Sequence, residues 1–493
     1  MLLELIGEFV LEEKTLPKRR FPKDYKVDPS TLAAGRYGTL EMVEIWGSEK
    51  TFEYSLRGQG QSSLTMSRLH PQIIPRNLSK EIAEKASLKY IDPNRIRELE
   101  EITGHDVIAI NTALEEVLSP EARPHVNKAK TSADTTQPAR VLQIKDSLEV
   151  TADSVENLRD IVLEKAKEWI DAPNMDTTHL YDALPSVAGR PFAHCGEMLQ
   201  SDLNFLKFVY DNSLMCKWAD ATGCHHSATA LGINGMKLQE EYCKDLGLKF
   251  MDAPAQIPGL EFEADVFYVM ARTGETMNNI AKYIAWGKSD DVNIFSNANP
   301  RKRKGSSAMP HKDAKGGNPT AEEQVMSVRN YVMGNVVTAL ANCELPYARN
   351  LAASSNSRIN LEDGFKYLDH GIRRLANAIF WTGLNEDRCK ERVERSFGVV
   401  TSQQVMTYLT DPRKVSNPMS RSEAHDLMGK LATESWNSKT KFIDVLLENK
   451  EVTSRIDEEV LRKITDPFEY IGQSKEIITT VFDKYHEKKT LEN

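Results

Sequence analysis

The sequence predicts an all-α protein with three helical domains, of which the central one is an elongated helix bundle. Apolar residues recur at steps of three and four over long stretches, which places one apolar stripe along a helix face. These stretches run for roughly 20 to 35 residues, whereas an average helix has about 11, and helices that long need partners of similar length. The alternation of apolar and polar residues that marks a strand is hard to find.

Four apolar stripes mark the long helices of the middle of the chain, after a first helix predicted around 95–119. The stripes consist of Val155, Leu158, Val162 and Ala166; of Leu199, Leu203, Leu206 and Tyr210; of Val266, Met270, Met277, Ile280 and Ile284; and of Val325, Val328, Val332, Val336 and Leu340. Each stripe has the period of a helix that buries one face. They predict the long helices of the central bundle.

Three irregular stretches divide the chain. They are Pro120 to Asp134, Ser289 to Pro319, and a break near Thr382 to Asn385 that precedes shorter helices. We therefore expect an N-terminal helical domain with an extension at 1–130, and a small helical domain at 386–493. Between them, the long-helix bundle at 131–385 carries an irregular loop at 289–319.

The composition excludes several classes of protein. The 493 residues carry a net charge of −9, so broad electrostatic attraction to nucleic acid or to an anionic membrane is not expected. No apolar run approaches the length of about 18 residues that a membrane span needs, and acidic residues near the start argue against a signal peptide. The six cysteines form no CxxC pair, which is typical of reduced thiols in a cytoplasmic protein.

The loop at 289–319 contains the most distinctive sequence of the chain, GSSAMPHKDAKGGNP at residues 305–319. Irregular segments of this length in compact domains are usually binding loops or lids, or else disordered. The pattern GxxxxGK[ST] of a phosphate-binding loop is absent, because Lys312 follows Pro310-His311 and precedes Asp313. A nucleotide hydrolase is therefore not predicted.

The string GSSAMP, with Lys312 and Asn318-Pro319 after it, resembles the signature loop of the fumarase/aspartase superfamily, in its adenylosuccinate lyase branch. Other segments resemble further elements of that branch, in the same order along the chain. They are Arg36-Tyr37, His105-Asp106 in ITGHDVIA, Thr131-Ser132 with Asp134 in KTSADTT, His179 in TTHLYDALPSVAG, and Arg349, Leu351, Ser354 and Arg358 in YARNLAASSNSRINL. The resemblance implies an all-α fold, with the small helical domain at the C-terminal end.

Enzymes of this superfamily eliminate an amine, an alcohol or water β to a carboxylate and release fumarate. Removal of the weakly acidic C–H proton leaves a dianionic aci-carboxylate, so the site needs positive charge and hydrogen-bond donors. The resemblance implies that Ser306 is the base and that Lys312 helps to ionise it. It also implies that His179, oriented by Glu323, protonates the leaving nitrogen, with His105 assisting at the phosphate or a carboxylate.

The resemblance further implies a set of substrate-binding residues. The carboxylates of the succinyl group would accept hydrogen bonds from Thr131, Ser132 and Asn318. Guanidinium groups suit phosphate, and the nucleotide monophosphate would be held by Arg36, Tyr37, Arg349, Ser354 and Arg358. Asp106 belongs to the same element as His105, and Gln256 in DAPAQIPG lies where the family has a substrate-binding glutamine.

The expected reactions release fumarate from succinyl-AMP and from the succinylated imidazole-carboxamide ribotide of purine synthesis. The resemblance implies a homotetramer whose central bundle packs helices from four chains, with each site built from three of them. No cofactor is implied, because protein donors can stabilise the intermediate. No metal is expected at Cys224-His225-His226 either, since adjacent residues diverge by about 100° on a helix and no second ligand pair follows.

Departures from the family pattern leave the substrate open. Residues 313–317 make the loop four residues longer, so that Lys315 competes with Lys312 for the anion. Gly104 and Asn127 stand where basic or histidine residues are usual, and Gln324 stands where an arginine often follows the glutamate. Either the phosphate is held differently here, or the substrate is a relative of adenylosuccinate. A second interpretation is a superfamily lyase that acts on a non-nucleotide adduct such as argininosuccinate. A helical relative without activity is a third interpretation.

Overall fold

The computed structural model describes residues 36–299, 306–345 and 347–491, without the side chains of residues 314 and 315. The N-terminal extension, Gly305 of the signature and the side chain of Lys315 therefore lie outside the described residues. Helices dominate these ranges, which confirms the all-α class. Within them, no helix combines the length and the apolar character that crossing a membrane requires.

Among the described residues five helices precede the bundle, and the last four of them enclose a small core of their own. They are α1 (Leu40–Ile45), α2 (Ser48–Leu69), α3 (Arg76–Lys85), α4 (Pro93–Thr103) and α5 (Asp106–Val117). The sequence starts α4 with two strong signals, since the Asp92 carboxylate accepts the N–H of Asn94 and Pro93 occupies the first turn. Leu56, Ile82, Ile96 and Leu114 form the centre of this core.

Five helices of 23 to 36 residues form the central bundle. In chain order the helices are α6 (Ala133–Glu168), α7 (Arg190–Asn212), the short α8 (His226–Ala230) and α9 (Gly235–Asp245), α10 (Glu261–Gly287), α11 (Thr320–Asn342) and α12 (Ser354–Phe380). The four predicted stripes lie on α6, α7, α10 and α11, and Leu158, Leu203, Ile280 and Val328 are buried in one continuous core. The long helices of the prediction are thus confirmed.

Two glycines allow the helices of the bundle to approach closely. A Cβ atom on Gly274 of α10 would lie 2.9 Å from Cγ2 of Val332 on α11. A Cβ atom on Gly371 of α12 would lie 2.9 Å from Cγ2 of Val328, one turn earlier on α11. Since van der Waals contact between carbons requires about 3.5 Å or more, both positions need a residue without a side chain.

Three small sheets interrupt the helices, and the sequence did not predict them. Antiparallel strands β1 (Pro173–Thr178) and β2 (Tyr181–Val187) form a hairpin directly after α6. The short strands β3 (Met215–Cys216) and β4 (Lys249–Phe250) pair in parallel, and β5 (Phe295–Asn297) pairs antiparallel with β6 (Thr382–Leu384). The β5–β6 pair fixes the start of the signature loop to the end of α12.

Seven shorter helices follow the bundle, as predicted. They are α13 (Glu386–Glu394), α14 (Ser402–Thr410), α15 (Arg421–Ser438), α16 (Phe442–Glu448), α17 (Lys450–Thr453), α18 (Glu458–Ile464) and α19 (Ser474–Tyr485). Val405, Leu431, Phe442 and Leu461 belong to a separate core, whereas Ile478 of α19 joins the core of the bundle. The domain boundaries at 130 and 385 stay predictions.

Candidate active site

The signature loop presents Ser306 with two hydrogen-bond donors. Its Oγ atom accepts the backbone N–H groups of Ala308 at 3.3 Å and of Met309 at 3.1 Å. Donors aimed at an oxygen favour its ionised form over its neutral form. The local backbone therefore provides part of what a serine base needs.

Lys312 and Asn318 meet across the same loop. The Nζ atom of Lys312 donates to Oδ1 of Asn318 at 2.9 Å, and the N–H of Gly317 donates to the Lys312 carbonyl at 2.9 Å. Gly316 and Gly317 have φ angles of 80° and 85°, a left-handed conformation that favours glycine. Asn297 at the end of β5 donates to the Gly316 carbonyl at 3.3 Å, which holds the loop in place.

Two glutamates in the first turn of α11 have different environments. Glu322 is buried and forms an ion pair with Lys288 at 2.6 Å. Glu323 is exposed, and its carboxylate has no hydrogen bond or ion pair with the described residues. Glu323, rather than Glu322, is thus accessible to a histidine from outside this helix.

The His105 element and the Thr131-Ser132 element come together. His105 precedes α5, and its Nε2 atom lies 3.3 Å from Oγ of Ser132. Its Nδ1 atom accepts the N–H of Val107 at 3.2 Å. The φ angle of Gly104 is 63°, and Gly104 ends α4 in the left-handed conformation. The departure at Gly104 thus has a structural reason, because it is the turn that positions His105.

The buried Asp134 carboxylate holds the backbone of Thr131 in place. The Asp134 carboxylate accepts the N–H of Thr131 at 2.8 Å and forms an ion pair with Lys217 at 2.6 Å, and both charged side chains are fully buried. It also accepts the N–H groups of Ala219 at 3.0 Å and Asp220 at 3.1 Å. Asp134 therefore ties the start of α6 to the segment after β3. Lys217, its partner, was not identified from the sequence.

A second lysine missed by the sequence analysis lies beside Thr131. Lys130 packs its ammonium group 5.9 Å from the ring of Trp218 and 5.8 Å from that of Tyr242. Its Nζ atom donates to Oε1 of Gln59 at 3.1 Å. Burial lowers the pKa of Lys130 to about 8. The position directly before Thr131-Ser132 was the only signal that the sequence offered.

Arginines gather where α12 begins. Arg358 lies 3.9 Å from the Asp106 carboxylate, and the N–H of Gln256 donates to the Ala348 carbonyl at 3.0 Å, directly before Arg349. Burial lowers the pKa of Arg349, and the nearby charges of Arg140 and Arg358 lower it further. Ser354 starts α12 on the same side. Arg140 of α6 is a member of this group that the sequence analysis missed.

Arg36 and Tyr37 lie elsewhere. The Tyr37 ring packs edge-on against Tyr367 and His370 of α12, with centroids 5.7 Å and 5.6 Å away. The hydroxyl of Tyr367 donates to Oγ of Ser327 at 3.2 Å, one helical turn beyond Glu323 on α11. Arg36 is exposed beside Tyr37. This pair therefore belongs to the Glu323 end of the bundle.

His179 occupies the exposed tip of the hairpin between β1 and β2. Its φ angle is 52°, in the left-handed region that non-glycine residues rarely adopt. The side chain has no hydrogen bond or ion pair with the described residues. The neighbouring Leu180 is 87% exposed. Leu180 has a φ angle of 68°, and positive φ at both residues is what a two-residue hairpin loop requires. The hairpin thus presents His179 at its exposed tip.

Helix lengths separate the candidate residues of one chain into two groups. The 36 residues of α6 span about 54 Å between Ser132, which precedes it, and the hairpin of His179, which follows it. On α11, Glu323 is 19 residues, or about 28 Å, from Asn342, whose side chain donates to Asn356 of α12 at 2.6 Å. The described residues of one chain therefore do not bring His105, Ser132 and Arg358 to His179 and Glu323.

Known proteins share both the sequence pattern and the fold. A model described as "Lyase" matches residues 41–334, and one described as "Adenylosuccinate lyase C-terminus" matches residues 398–481. The adenylosuccinate lyase of Methanocaldococcus jannaschii is 28% identical over 92% of this chain and 96% of its own length. That of Pyrococcus abyssi is 27% identical over 92% and 97%.

Solved structures share the fold at lower identity. A fumarate lyase from Mesorhizobium sp. BNC1 has a TM-score of 0.76 at 20% identity, covering 91% of this chain and 98% of that one. A 3-carboxy-cis,cis-muconate lactonizing enzyme from Pseudomonas putida has a TM-score of 0.75 at 19% identity, covering 92% and 99%. With the lyase model matching more than half of its residues, the chain belongs to the lyase family of the fumarase/aspartase superfamily, in the adenylosuccinate lyase branch.

Proposed function

We propose that this protein is an adenylosuccinate lyase, which cleaves adenylosuccinate to AMP and fumarate and also releases fumarate from succinyl-aminoimidazole-carboxamide ribotide. The match to relatives of that name over 92% of the chain supports this substrate class. The observation that carries the chemistry is the Ser306 hydroxyl, whose oxygen accepts two backbone N–H groups within a loop that also contains Lys312. Argininosuccinate, the alternative substrate, has no comparable support.

The proposed reaction removes one proton from carbon and adds one proton to the nitrogen of the C–N bond that breaks. Ser306 removes the proton from the carbon next to a carboxylate, and the negative charge spreads onto that carboxylate. The C–N bond then breaks, its electron pair goes to nitrogen, and His179 gives a proton to that nitrogen. Glu323 orients the His179 ring and stabilises its charged form. The products are fumarate and the free amine of the nucleotide.

Three sets of groups hold the substrate in this proposal. Thr131, Ser132 and Asn318 donate to the two carboxylates of the succinyl group, and Lys312, 2.9 Å from Asn318, adds the positive charge that the intermediate needs. His105, whose ring lies beside Ser132, assists at the phosphate or at a carboxylate. The monophosphate is bound by Arg349, Arg358, Ser354, Arg36 and Tyr37. Gln256 and Asp106 contact the substrate beside these residues. The chemistry requires no cofactor.

We propose that the sites form in a homotetramer, because one chain separates the required residues by about 54 Å along α6. The central helices also expose large apolar side chains that a monomer would leave in water. Phe208 is 56% exposed, Tyr268 53%, Val337 71% and Leu340 61%. A second and third copy would cover these side chains and supply the missing groups. The six free thiols fit a cytoplasmic location.

The deciding experiment follows fumarate release in the ultraviolet with adenylosuccinate and with argininosuccinate as separate substrates. Turnover of adenylosuccinate alone is the expected result, and a well-folded protein that turns over neither would refute the proposal. Ser306→Ala and His179→Ala should each lower kcat by about 10² to 10⁴. Their circular dichroism spectra should match that of the unchanged protein, because both side chains are on loops.

A further inference from the structure

We propose that Arg140 is a third guanidinium of the anion subsite that Arg349 and Arg358 form, and that it contacts the phosphate of the nucleotide. The inference rests on the proposed function for the identity of the ligand. It assigns a substrate-binding role to a residue on α6, about two helical turns after the Thr131-Ser132 element. No motif of the sequence marks this position.

The described residues contact the Arg140 guanidinium through one of its three nitrogens. Its Nη1 atom donates to Oγ of Ser357 at 3.0 Å and lies 3.4 Å from a carboxylate oxygen of Glu263. The donors on Nε and Nη2 have no hydrogen-bond partner among the described residues. The side chain is 15% exposed, so a ligand in solvent can reach these donors although most of the side chain is buried. A guanidinium with a free edge can bind a phosphate through two parallel hydrogen bonds.

The contacts of Arg140 also place it beside the predicted phosphate ligands. Ser357 lies in the first turn of α12, between Ser354 and Arg358. Its hydroxyl donates to the second carboxylate oxygen of Glu263 at 2.5 Å. Arg140, Ser357 and Glu263 thus form a closed set of three polar side chains that joins α6, α10 and α12. This set fixes the first turn of α12 against the edge of Arg140.

The local charge is unbalanced toward positive. Burial lowers the pKa of Arg140, the Glu263 carboxylate partly offsets this, and the charge of Arg358 lowers the pKa again. Glu263 is almost fully buried, and Asp106 lies 3.9 Å from Arg358. Arg140 pairs with Glu263 at 3.4 Å and Arg358 with Asp106 at 3.9 Å, whereas Arg349 has no ion pair with the described residues. A bound dianion would relieve the repulsion between like charges in a partly dehydrated place.

Two departures from the family pattern give this third arginine a purpose. Gly104 cannot contribute a basic side chain, because the end of α4 needs its left-handed conformation. Asn127 is also unsuited, because its Oδ1 accepts a hydrogen bond from Gln59 at 3.0 Å. Neither position supplies positive charge to the subsite, whereas Arg140 supplies it from α6.

The test compares the affinities of AMP and adenosine for the unchanged protein and for Arg140→Gln, by titration calorimetry. A lost guanidinium–phosphate contact should weaken AMP binding about 10- to 100-fold and leave adenosine binding unchanged. Arg95→Gln is the matched control, since Arg95 pairs with Glu116 on the exposed surface of α4 and α5. It should change neither affinity. An unchanged ratio of AMP to adenosine affinity in Arg140→Gln would overturn the inference. If both affinities fall equally, the role of Arg140 is purely structural.

A conservative variant covers the case in which Arg140→Gln fails to fold. Arg140→Lys keeps the charge and loses the two-pronged geometry, so a several-fold loss of AMP affinity is expected, and an unchanged affinity ratio would again overturn the inference. Failure of the proposed function looks different. In that case the unchanged protein binds AMP through Arg140 but releases no fumarate. If the unchanged protein does not bind AMP at all, both proposals are wrong.

Discussion

Mixing two inactive variants should restore activity if each site draws on different chains. His105 lies before α6 and His179 after it, and the 36 residues of this helix span about 54 Å. A site that contains both must therefore take them from two chains. When His105→Gln and His179→Gln chains assemble at random in equal amounts, half of the donors at each position are intact. About one quarter of all sites then carry both histidines, so about one quarter of the unchanged activity should return.

The assay dissociates the two variants in mild denaturant, mixes them, dilutes them and follows fumarate release from adenylosuccinate. The unchanged protein taken through the same steps sets the full scale. A mixture of His105→Gln with Ser132→Ala is the matched control, because Nε2 of His105 and Oγ of Ser132 are 3.3 Å apart in one chain. Every site then carries one defect, and activity cannot exceed the average of the two separate variants.

The result that would refute the reasoning is a mixture of His105→Gln and His179→Gln that stays at the average of its components. Subunit exchange must first be demonstrated, for example by isolating assemblies through a tag on only one variant and detecting the other. Full exchange without restored activity would mean that both histidines of a site come from the same chain. The inference that α6 keeps the two histidines of one chain in different sites would then be wrong.

Three further predictions concern stability. Burial lowers the pKa of His370 to about 4, so between about pH 4 and 6.5 the unfolded chain binds a proton that the folded chain does not. The loss of stability in urea from pH 7 to pH 5 should therefore be about 2 kcal/mol greater for the unchanged protein than for His370→Asn. Gly274→Ala should destabilise by about 1–3 kcal/mol in thermal unfolding through overpacking, whereas Gly429→Ala, with open space around it, should stabilise slightly. Asp134→Asn should cost about 3–5 kcal/mol in urea unfolding by leaving a buried lysine unpaired; no loss would contradict the structural role of this ion pair.

The sequence predicted the long helices because their physical cause is repeated many times. Each turn of α6 or α10 adds another apolar residue to the same face, so the pattern is clear even without a partner. The strands have no such redundancy. β3 and β4 contain two residues each, and β1 reads PNMDTT with no alternation of apolar and polar residues. Their pairing follows from the chain segments beside them, which a local pattern does not contain.

The candidate site divides in the same way. Residues in continuous motifs, such as Ser306 with Lys312, were found because loop chemistry and spacing are local. Arg140 and Lys217 were not found, since a single charged residue within a long helix or beside a strand normally indicates a solvated surface. Their roles depend on Glu263 and Asp134, which are distant in the sequence. Only the packing of α6 against other segments makes these pairs visible.

The length of α6 also limits how this protein can change. An extra residue inside a helix turns everything beyond it by about 100° and moves it by about 1.5 Å. Inserted into α6, one residue would rotate the His179 hairpin away from its place while leaving Ser132 where it was. In the signature loop, by contrast, residues 313–317 separate Lys312 from Asn318, and the two side chains still meet. The number of residues in α6 thus sets the distance and the rotation between Ser132 and the His179 hairpin, and an insertion there changes both.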